Sequence, residues 1–382
     1  MVSSPPTAAG VDEPDELRDL RSTLHRMLAS TAPESVVREH LDSPEGFDRS
    51  AWTRLATEIG VQGLAVAEEY GGAGCGMREL AVAGEELGYS LFPGPFLSTV
   101  LLGATLIARS RDAATMQALL PRIADGSLVC TLALPQHGAG WDADATTVTA
   151  VSEAGTWTLT GTIDHVLDGQ VADVILVPAR HDGVISVFRV DANSPSVEVR
   201  PALSMDQTRR FAHVDLTSAS ALRIGAPGSA RQLLADAGAV GSVGLAADQM
   251  GGARRMLEVT ADYARTRYQF GRPIGSFQAV KHALANMLIS TELARATLDD
   301  AVRAVDEKAR DMGTAVSVAN IVCSEAYYDV AAAAIQLHGG IGFTWEHSAH
   351  LYFKRATADR FLLGTPAHHA QRLAEALELG AM

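Results

Sequence analysis

The sequence predicts an α+β protein of three successive parts: an α-helical domain, a domain of short antiparallel strands that form a barrel or a sandwich, and a second α-helical domain. Three observations predict this order. Apolar residues recur at helical spacing up to about residue 120, β-branched runs follow up to about residue 222, and an alanine-rich helical pattern resumes at Ala230. The predicted parts are a disordered N-terminus at 1–13, the first helical domain at 14–125, the β-domain at 126–225 and the second helical domain at 226–382.

The first helical domain is indicated by segments whose apolar residues fall three or four positions apart. Examples are "LRDLRSTLHRML" and "MRELAVAGEELGYSL". The turns between such segments are marked by glycine and proline, as in "YGGAGCG" and "FPGP". This spacing predicts a group of helices that each bury one face.

The β-domain is indicated by short runs rich in valine, threonine and isoleucine. The runs are "TTVTAV", "TWTLTG", "ADVILVPA", "GVISVFRV" and "SVEVR". Turn signals such as "EAG" and "HDG" separate them. Evenly spaced strands of this kind are typical of a small antiparallel barrel or sandwich.

The second helical domain contains a break at "QFGRPIGSFQAVKH", residues 269–282, ahead of a helix of about thirty residues. Arg267 precedes the turn, and Ser276 is the predicted N-cap of the next helix. The first turn of a helix leaves backbone N–H groups unpaired at a positive dipole end, so an anion such as a pyrophosphate can bind there. A second glycine cluster, "IQLHGGIGFTWEH" at 335–347, also follows a helical run and lets the backbone approach a ligand closely.

The composition excludes several function classes. A net charge of −14 opposes a general attraction to nucleic acid or to an anionic membrane surface. No apolar run is long enough to predict a membrane span, and the polar, acidic N-terminus does not show a secretion signal. The cysteines Cys75, Cys130 and Cys323 are widely separated and suit a reducing compartment. A cytoplasmic enzyme or binding protein is therefore expected.

Four segments together resemble the acyl-CoA dehydrogenase family of flavoproteins. They are "RTRYQFGRPIGSFQAVKHALANM", "IQLHGGIGFTWEHSAHLYFKRA", "EEYGGAG" and "WTLTGTIDHVLDGQVAD". The resemblance covers about residues 14–378 and implies a helical domain, a β-domain and a C-terminal four-helix bundle. It also implies FAD as the cofactor and no metal.

The resemblance implies which residues hold FAD. Those that match the segment for the pyrophosphate and adenine side, typically across a subunit interface, are Arg267, Phe270 and Gln278. Those that match the second segment, which reaches the cofactor from the neighbouring chain, are Gln336, Gly339 and Gly340. Those expected beside the flavin and its ribityl chain are Leu132, Leu134, Pro135, Trp141, His165, Leu167 and Thr365.

The resemblance also implies a reaction and its partners. Such an enzyme removes hydrogens from the α and β carbons of an acyl-CoA thioester, which needs a carboxylate base, a hydride acceptor and donors that polarise the thioester carbonyl. An electron-transfer flavoprotein or a similar acceptor is the expected redox partner. The expected assembly is a homodimer or homotetramer, or a heterotetramer with a homologous subunit.

The chain departs from the family at the catalytic base. Leu363 in "FLLGTPAHH" occupies the position of the usual glutamate, so only its backbone N–H could act on a thioester. A second position used in the family falls on Gly241, which is not an acid either. Asp248 lies seven residues further on, nearly on the same helical stripe and about 10 Å along the axis, and is the candidate base.

Three functions remain open from the sequence. The first is an FAD-dependent dehydrogenase with Asp248 as a relocated base, acting on a bulky, branched or sterol-derived acyl group. The second is a subunit without a base that works beside a catalytic homologue in a mixed oligomer. The third is a different flavin chemistry, such as a monooxygenase on the same scaffold. A dinucleotide site for NAD at "GGAGCG" and a metal site among the C-terminal histidines both lack the required context.

Overall fold

The computed structural model describes residues 13–378, so the predicted disorder at 1–13 lies outside the described residues except for Glu13. The N-terminal part is helical, as predicted. Its helices are α1 (Asp15–Thr31), α2 (Glu34–Leu41), α3 (Arg49–Arg54), α4 (Met77–Tyr89), α5 (Thr105–Ser110) and α6 (Ala113–Ala124), and Phe96–Ala104 forms a π-helix ahead of α5. Buried Trp52, Leu24 and Leu106 belong to the apolar core that these helices share.

The middle part is a β-domain whose strands close into a ring. The strands are β1 (Cys130–Leu132), β2 (Gln136–His137), β3 (Gly140–Trp141), β4 (Thr149–Glu153), β5 (Thr156–Leu167), β6 (Val174–His181), β7 (Val184–Asp191), β8 (Val197–Ala202) and β9 (Phe211–Ile224). Neighbours run β6, β4, β5, β9, β7 and back to β6, and β8 pairs with β9. The pairing is mostly antiparallel, as predicted, but β1 and β4 run parallel to β6. The sequence did not predict these parallel pairings, because the paired strands are not joined by a tight turn whose residues would reveal the pairing.

The C-terminal part is a bundle of long helices, which confirms the predicted fold class. Its elements are α7 (Ala230–Thr266), the hairpin strands β10 (Tyr268–Gln269) and β11 (Arg272–Pro273), α8 (Gln278–Asp306), α9 (Met312–His338), α10 (Ala349–Asp359) and α11 (Pro366–Ala376). Helices α7, α8 and α9 pack against one another, and α10 and α11 both pack on α9. Within residues 13–378, no helix has both the length and the apolar character needed to cross a bilayer.

The predicted N-cap of α8 is wrong. The helix begins at Gln278 with Phe277 as its N-cap residue, and no side chain caps it. The Ser276 hydroxyl instead donates to the Pro273 carbonyl at 2.7 Å, because Ile274–Ser276 forms a short 3₁₀ turn. The first-turn N–H groups of α8 are therefore left for another acceptor.

Glycines let α4 and α7 cross with their backbones in contact. A Cβ added to Gly88 would lie 2.1 Å from the Asp248 carbonyl oxygen, and one added to Gly251 would lie 1.9 Å from the Glu85 carbonyl oxygen. Neither position accepts a side chain without moving a helix. The crossing therefore fixes the central part of α7, which carries Gly241 and Asp248, against the N-terminal domain.

Two buried glutamates of α4 tie the first helical domain to the bundle. Glu85 and Glu86 are 3% and 1% exposed, and they pair with Arg21 of α1 and Arg254 of α7. Arg295 of α8 lies 3.5 Å from Glu85. Despite burial, which acts in the opposite direction, the surrounding guanidinium groups and His25 lower the pKa of Glu86 to about 2. The glutamates therefore stay charged and link α4 to three other helices.

Candidate active site

The loop between α10 and α11 has a strained backbone. Leu363 has a φ of 55° and Gly364 a φ of 111°, and Leu363 is 8% exposed. A bulky residue in the left-handed region costs free energy that the surrounding packing must offset, and such residues are common at functional sites. The loop ends at Thr365, the N-cap of α11, whose hydroxyl accepts from the His368 N–H at 3.2 Å.

Leu363 and Gly241 meet in space. A Cβ added to Gly241 would lie 3.2 Å from Leu363 Cδ1 and 2.5 Å from Leu102 Cδ2. The two positions at which the resemblance places the catalytic base are therefore neighbours here, although 122 residues of sequence separate them. Neither carries a carboxylate.

The Leu363 loop presents unused donors. The backbone N–H groups of Leu363 and Gly364 donate to no other residue among those described, and both residues are buried. Buried N–H groups are nearly always paired, so an acceptor from outside the chain is expected at this loop. A thioester carbonyl oxygen has the chemistry to accept these bonds.

The β2–β3 hairpin brings the predicted flavin residues to the same loop. The Thr365 N–H donates to the Ala139 carbonyl at 2.9 Å, and a Cβ on Gly140 would clash with the His368 ring at 2.6 Å. Trp141 packs on α7, where a Cβ on Gly238 would lie 2.5 Å from its ring. The hairpin therefore contacts Thr365, at the end of the Leu363 loop, through Ala139 and contacts α7 through Trp141.

The remaining predicted flavin residues occupy adjoining strands of the β-domain. Leu132 and Pro135 are buried and Leu134 is half-buried, in and just after β1. Buried Leu167 lies beside them, since its carbonyl accepts a hydrogen bond from the Thr131 hydroxyl of β1. His165, however, is exposed, with a φ of 57°. The structure thus joins Leu132, Leu134, Pro135 and Leu167, and leaves the His165 ring at the surface.

The Arg267 segment forms a hairpin that projects from the bundle. Phe270 and Gly271 both have positive φ, 53° and 74°, as a two-residue turn between β10 and β11 requires. Phe270 is 91% exposed, and Arg267 and Gln278 are exposed beside it. An aromatic side chain this exposed, next to a cation and an uncapped helix end, indicates that a ligand or a second chain covers the segment.

The second glycine segment lies next to that hairpin. Tyr263 near the end of α7 stacks on His338 at the end of α9, with ring centroids 4.4 Å apart. Gln336, Gly339 and Gly340 are exposed there, and a Cβ on either glycine would meet nothing within 4 Å. Both predicted FAD segments therefore face outward at neighbouring helix ends.

The exposed helix ends of the bundle, Arg267 and the apolar β1 region together fit FAD. The uncapped N-terminus of α8 offers N–H groups at the positive end of a 29-residue helix, and Arg267 adds a guanidinium. Both bind phosphate oxygens well. The outward-facing glycines leave the backbone accessible to a flat ligand, and the β1 region supplies apolar surface for a ring system.

Asp248 lies in a buried group of charges, here called the central ion cluster: Asp206, Arg209, Asp248, Arg355 and Asp359. Arg355 contacts both Asp248 oxygens at 3.2 and 3.3 Å, and Arg209 Nη2 lies 2.9 Å from Oδ2. Arg355 also donates to Asp206 at 3.0 Å, and Arg209 to Asp359 at 2.6 Å. The cluster joins the β8–β9 loop of the β-domain to α7 and α10.

The central ion cluster holds more carboxylates than its two guanidinium groups neutralise. Burial raises the pKa of Asp359 to about 7, and its Oδ2 has no hydrogen-bond partner among the described residues. Nearby Asp168, which accepts from the Ser98 hydroxyl at 2.6 Å, has a pKa raised by burial to about 6. Uptake of a proton by Asp359 near neutral pH therefore reduces the excess of negative charge in the cluster.

Sequence reasoning found Asp248 but missed the rest of the central ion cluster. Arg209 and Arg355 come from a loop and a short helix, and each finds its partners about 40 to 150 residues away in the sequence. No local motif marks such pairs. The sequence hint of these partners was the aspartate and the two arginines of "SMDQTRRF". By themselves they indicate only a polar loop.

The C-terminal histidines pack as ordinary interior side chains. His350 lies edge-on to Trp345, with centroids 4.6 Å apart, and burial lowers its pKa to about 4. His369 is fully buried, and its pKa is also lowered to about 4. Among the described residues, no three histidine, cysteine, aspartate or glutamate side chains are grouped so that they could hold a metal ion.

A helical domain, a closed β-domain and a helical bundle whose exposed helix ends fit a dinucleotide define a class of protein, and the chain is similar to known proteins of that class. Residues 14–127 match the acyl-CoA dehydrogenase N-terminal domain and residues 238–378 the C-terminal domain. Acyl-CoA dehydrogenase IpdE2 of Mycobacterium tuberculosis (strain ATCC 25618 / H37Rv) is 36% identical over 360 residues, which cover 94% of this chain and 96% of that protein.

Two solved structures of acyl-CoA dehydrogenases also resemble this chain over nearly its whole length. The ChsE4-ChsE5 complex from Mycobacterium tuberculosis has a TM-score of 0.86 at 30% identity, covering 96% of this chain and 98% of that chain. The Tcur3481-Tcur3483 steroid ACAD has a TM-score of 0.85 at 32% identity, covering 96% and 99%. The chain therefore belongs to the acyl-CoA dehydrogenase family. Membership confirms the expected cofactor, FAD, and the expected class, an oxidoreductase acting on acyl-CoA.

Proposed function

We propose that this chain takes part in the FAD-dependent α,β-dehydrogenation of a bulky, sterol-derived acyl-CoA as one subunit of a mixed assembly. In this assembly a homologous chain supplies the catalytic carboxylate, and an electron-transfer flavoprotein or a similar acceptor reoxidises the flavin. One observation carries the proposal: Leu363 and Gly241 adjoin, and neither can accept a proton. Two similar solved structures are named for a pair of proteins, ChsE4 with ChsE5 and Tcur3481 with Tcur3483, which supports a mixed assembly.

The residues of this chain have three roles in the proposed reaction. Arg267 and the uncapped first turn of α8 bind the phosphates of FAD. The Leu363 N–H donates to the thioester carbonyl, which makes the α-proton more acidic. Trp141 and the β2–β3 hairpin support the Leu363 loop and close it against α7. When bound, FAD supplies the hydride acceptor and a ribityl hydroxyl as a further donor.

Asp248 as the base stays a prediction. Its carboxylate already contacts Arg209 and Arg355, so it would have to give up these partners to take a proton. It also lies about 10 Å along α7 from Gly241, which adjoins Leu363. These contacts favour a binding or structural role for Asp248, and they support the mixed assembly over a chain that acts alone.

The proposed function is tested by anaerobic titration with sterol-derived and straight-chain acyl-CoA thioesters while flavin absorbance is recorded. The FAD-loaded chain is titrated alone and after co-expression with a homologue that retains the glutamate. We expect bleaching by acyl-CoA only in the co-expressed sample, because only that sample contains the base. Equal bleaching by the chain alone would contradict the mixed assembly, and loss of that bleaching in Asp248→Asn would then identify the base.

The assignment of Arg267 to FAD is tested by Arg267→Met. We expect FAD affinity to fall about tenfold or more, because a hydrogen bond to a charged group contributes about 1.5–3 kcal/mol. The measurement is flavin retained per protein after dialysis, with the dissociation constant from flavin fluorescence. Arg265→Met is the matched control, since Arg265 is also exposed at this helix end but pairs with Asp262 at 2.6 Å. Equal FAD retention in both variants would remove Arg267 from the site.

A further inference from the structure

A cavity of about 280 Å³ lies where the first helical domain meets the bundle. Five segments form its walls: α1, α2, the end of α4 with the turn after it, α7 and α10. Among residues 13–378, its lining includes none from the β-domain, from the Leu363 loop or from the two predicted FAD segments. A cavity of about 150 Å³ holds a benzene ring, so this one has room for a ring with a polar substituent.

The walls of the cavity are mostly apolar. They include Leu28, Val37, Leu91 and Leu351, which are all buried. Leu91 has a φ of 52°, and a bulky residue in the left-handed region is uncommon outside functional sites and tight turns. Small-molecule sites are typically apolar cavities with a few polar groups, so the walls suit the apolar body of a ligand.

Arg255 of α7 brings to this cavity a positive charge without a direct ion-pair partner. Its neighbour Arg254 pairs with Glu86 at 2.6 Å, but within residues 13–378 no carboxylate oxygen lies within 4 Å of the Arg255 nitrogens. Arg255 Nη1 donates to the Tyr89 hydroxyl at 3.1 Å, and that hydroxyl donates to Glu258 at 2.7 Å. A guanidinium has five N–H donors, so most of them are left for another acceptor.

Other polar side chains lie around the same cavity. Ser90 and Ser348 line it and are half-buried. Ser348 is the N-cap residue of α10, but its hydroxyl caps no backbone N–H. His25 lines the cavity as well, with its Nδ1 2.9 Å from Glu86. The two serine hydroxyls can each donate to a ligand oxygen.

The neighbouring charges favour a ligand with a single negative charge. Glu34 lines the cavity and pairs with Arg38 at 2.7 Å, and Glu258 lies one hydroxyl away from Arg255. A dianion such as a phosphate would meet these carboxylates with one guanidinium to compensate. A carboxylate carries one charge, and its two oxygens match the fork of N–H donors on a guanidinium.

We propose that this cavity binds a monocarboxylate with a cyclic or branched apolar body, with the carboxylate on Arg255 and the hydroxyls of Ser90 and Ser348. The inference goes beyond the proposed function and does not depend on it, because the cavity lies apart from the Leu363 loop. The ligand contacts the first helical domain and the bundle at once. Its binding therefore also stabilises the folded chain.

The inference is tested by calorimetric titration of two matched probes into the FAD-loaded protein, with its co-purifying homologue where one is present. The probes are cyclohexanecarboxylate and cyclohexanecarboxamide, which share the ring and differ in charge. We expect the wild type to bind the carboxylate about tenfold or more tightly, because a hydrogen bond to a charged group contributes about 1.5–3 kcal/mol.

Arg255→Gln is the variant that tests the charge, and Arg26→Gln is its matched control. Glutamine keeps a polar group at the cavity but removes the guanidinium. Arg26 is exposed on α1 and donates to Ser22 and Thr23 of the same helix. We expect the preference for the carboxylate probe to fall close to one in Arg255→Gln and to persist in Arg26→Gln.

Ala29→Trp is the variant that tests the location, and Ser30→Trp is its matched control. Ala29 lines the cavity from an exposed position of α1, so an indole there obstructs the opening without entering the core. Ser30 is also exposed on α1 but does not line the cavity. We expect the affinity for the carboxylate to fall about tenfold or more in Ala29→Trp and to stay unchanged in Ser30→Trp.

The inference is overturned if the wild type binds both probes equally or binds neither. It is also overturned if the preference survives in Arg255→Gln, or if Ala29→Trp binds the carboxylate as the wild type does. Should Arg255→Gln unfold, the Ala29→Trp comparison still decides, because that position is exposed. Flavin bleaching by acyl-CoA is measured separately, so failure of either proposal is distinguished from failure of the other.

Discussion

Replacing Arg355 by methionine is expected to lower the free energy of unfolding by about 3–5 kcal/mol, because the change leaves buried carboxylates unpaired. Arg355 is 1% exposed and contacts both Asp206 and Asp248. It also donates to the Thr208 hydroxyl and carbonyl at 2.8 and 3.1 Å. Methionine fills much of the volume but supplies none of these donors. Urea and thermal unfolding of the FAD-loaded protein measure the loss.

The control for Arg355→Met is Arg303→Met. Arg303 lies on the exposed face of α8 and pairs with Asp300 and Glu307, both also exposed. Exposed ion pairs contribute little to stability, so we expect no measurable change. Adding Asp248→Asn to Arg355→Met should recover part of the loss, since it removes one of the unpaired charges. Wild-type stability in Arg355→Met would show that the central ion cluster does not hold the domains together.

Introducing a carboxylate at Leu363 is expected to give this chain a base of its own. In Leu363→Glu, the new side chain occupies the position that the resemblance assigns to the catalytic glutamate, next to Gly241, where there is no Cβ to obstruct it. A positioned general base contributes about 10²–10⁴-fold to a rate. We expect anaerobic bleaching of the flavin by acyl-CoA in the isolated variant to exceed that of the wild-type chain by a factor of this order.

The control for Leu363→Glu is Leu363→Gln, which keeps the shape of the new side chain but removes its basicity. Glutamine has nearly the same size and polarity as glutamate but cannot take the α-proton. We therefore expect it to retain FAD and to bleach no faster than the wild type. If Leu363→Glu retains FAD and still does not react with any acyl-CoA that the assembly oxidises, this loop is not positioned for proton transfer. Equal rates in both variants would likewise exclude a role for the carboxylate.

The sequence predicted local structure better than contacts between distant segments. Arg267, Phe270 and Gly271 form a local unit, because a two-residue turn with positive φ depends on neighbouring residues. The start of α8 was misplaced at Ser276, since a serine N-cap and a 3₁₀ turn compete for the same short segment. The two parallel strand pairings of the β-domain were not predicted either.

The environment of Asp248 could not be predicted from the sequence. Its partners Arg209 and Arg355 lie on other elements, and the distances among the three depend on how the β-domain docks on the bundle. The sequence therefore marked Asp248 as an unusual residue in an apolar stretch of α7, but it did not show whether the role of Asp248 is catalytic or structural.

The sequence by itself determined the order of the domains, the acyl-CoA dehydrogenase resemblance and the absence of a glutamate at Leu363, because periodicity, short motifs and residue identity are local properties. Only the tertiary structure brought Leu363 against Gly241 and enclosed Asp248 between two guanidinium groups. The physical reason is that packing and charge pairing act over a few ångströms in space. Residues more than a hundred positions apart meet only when whole elements close on one another.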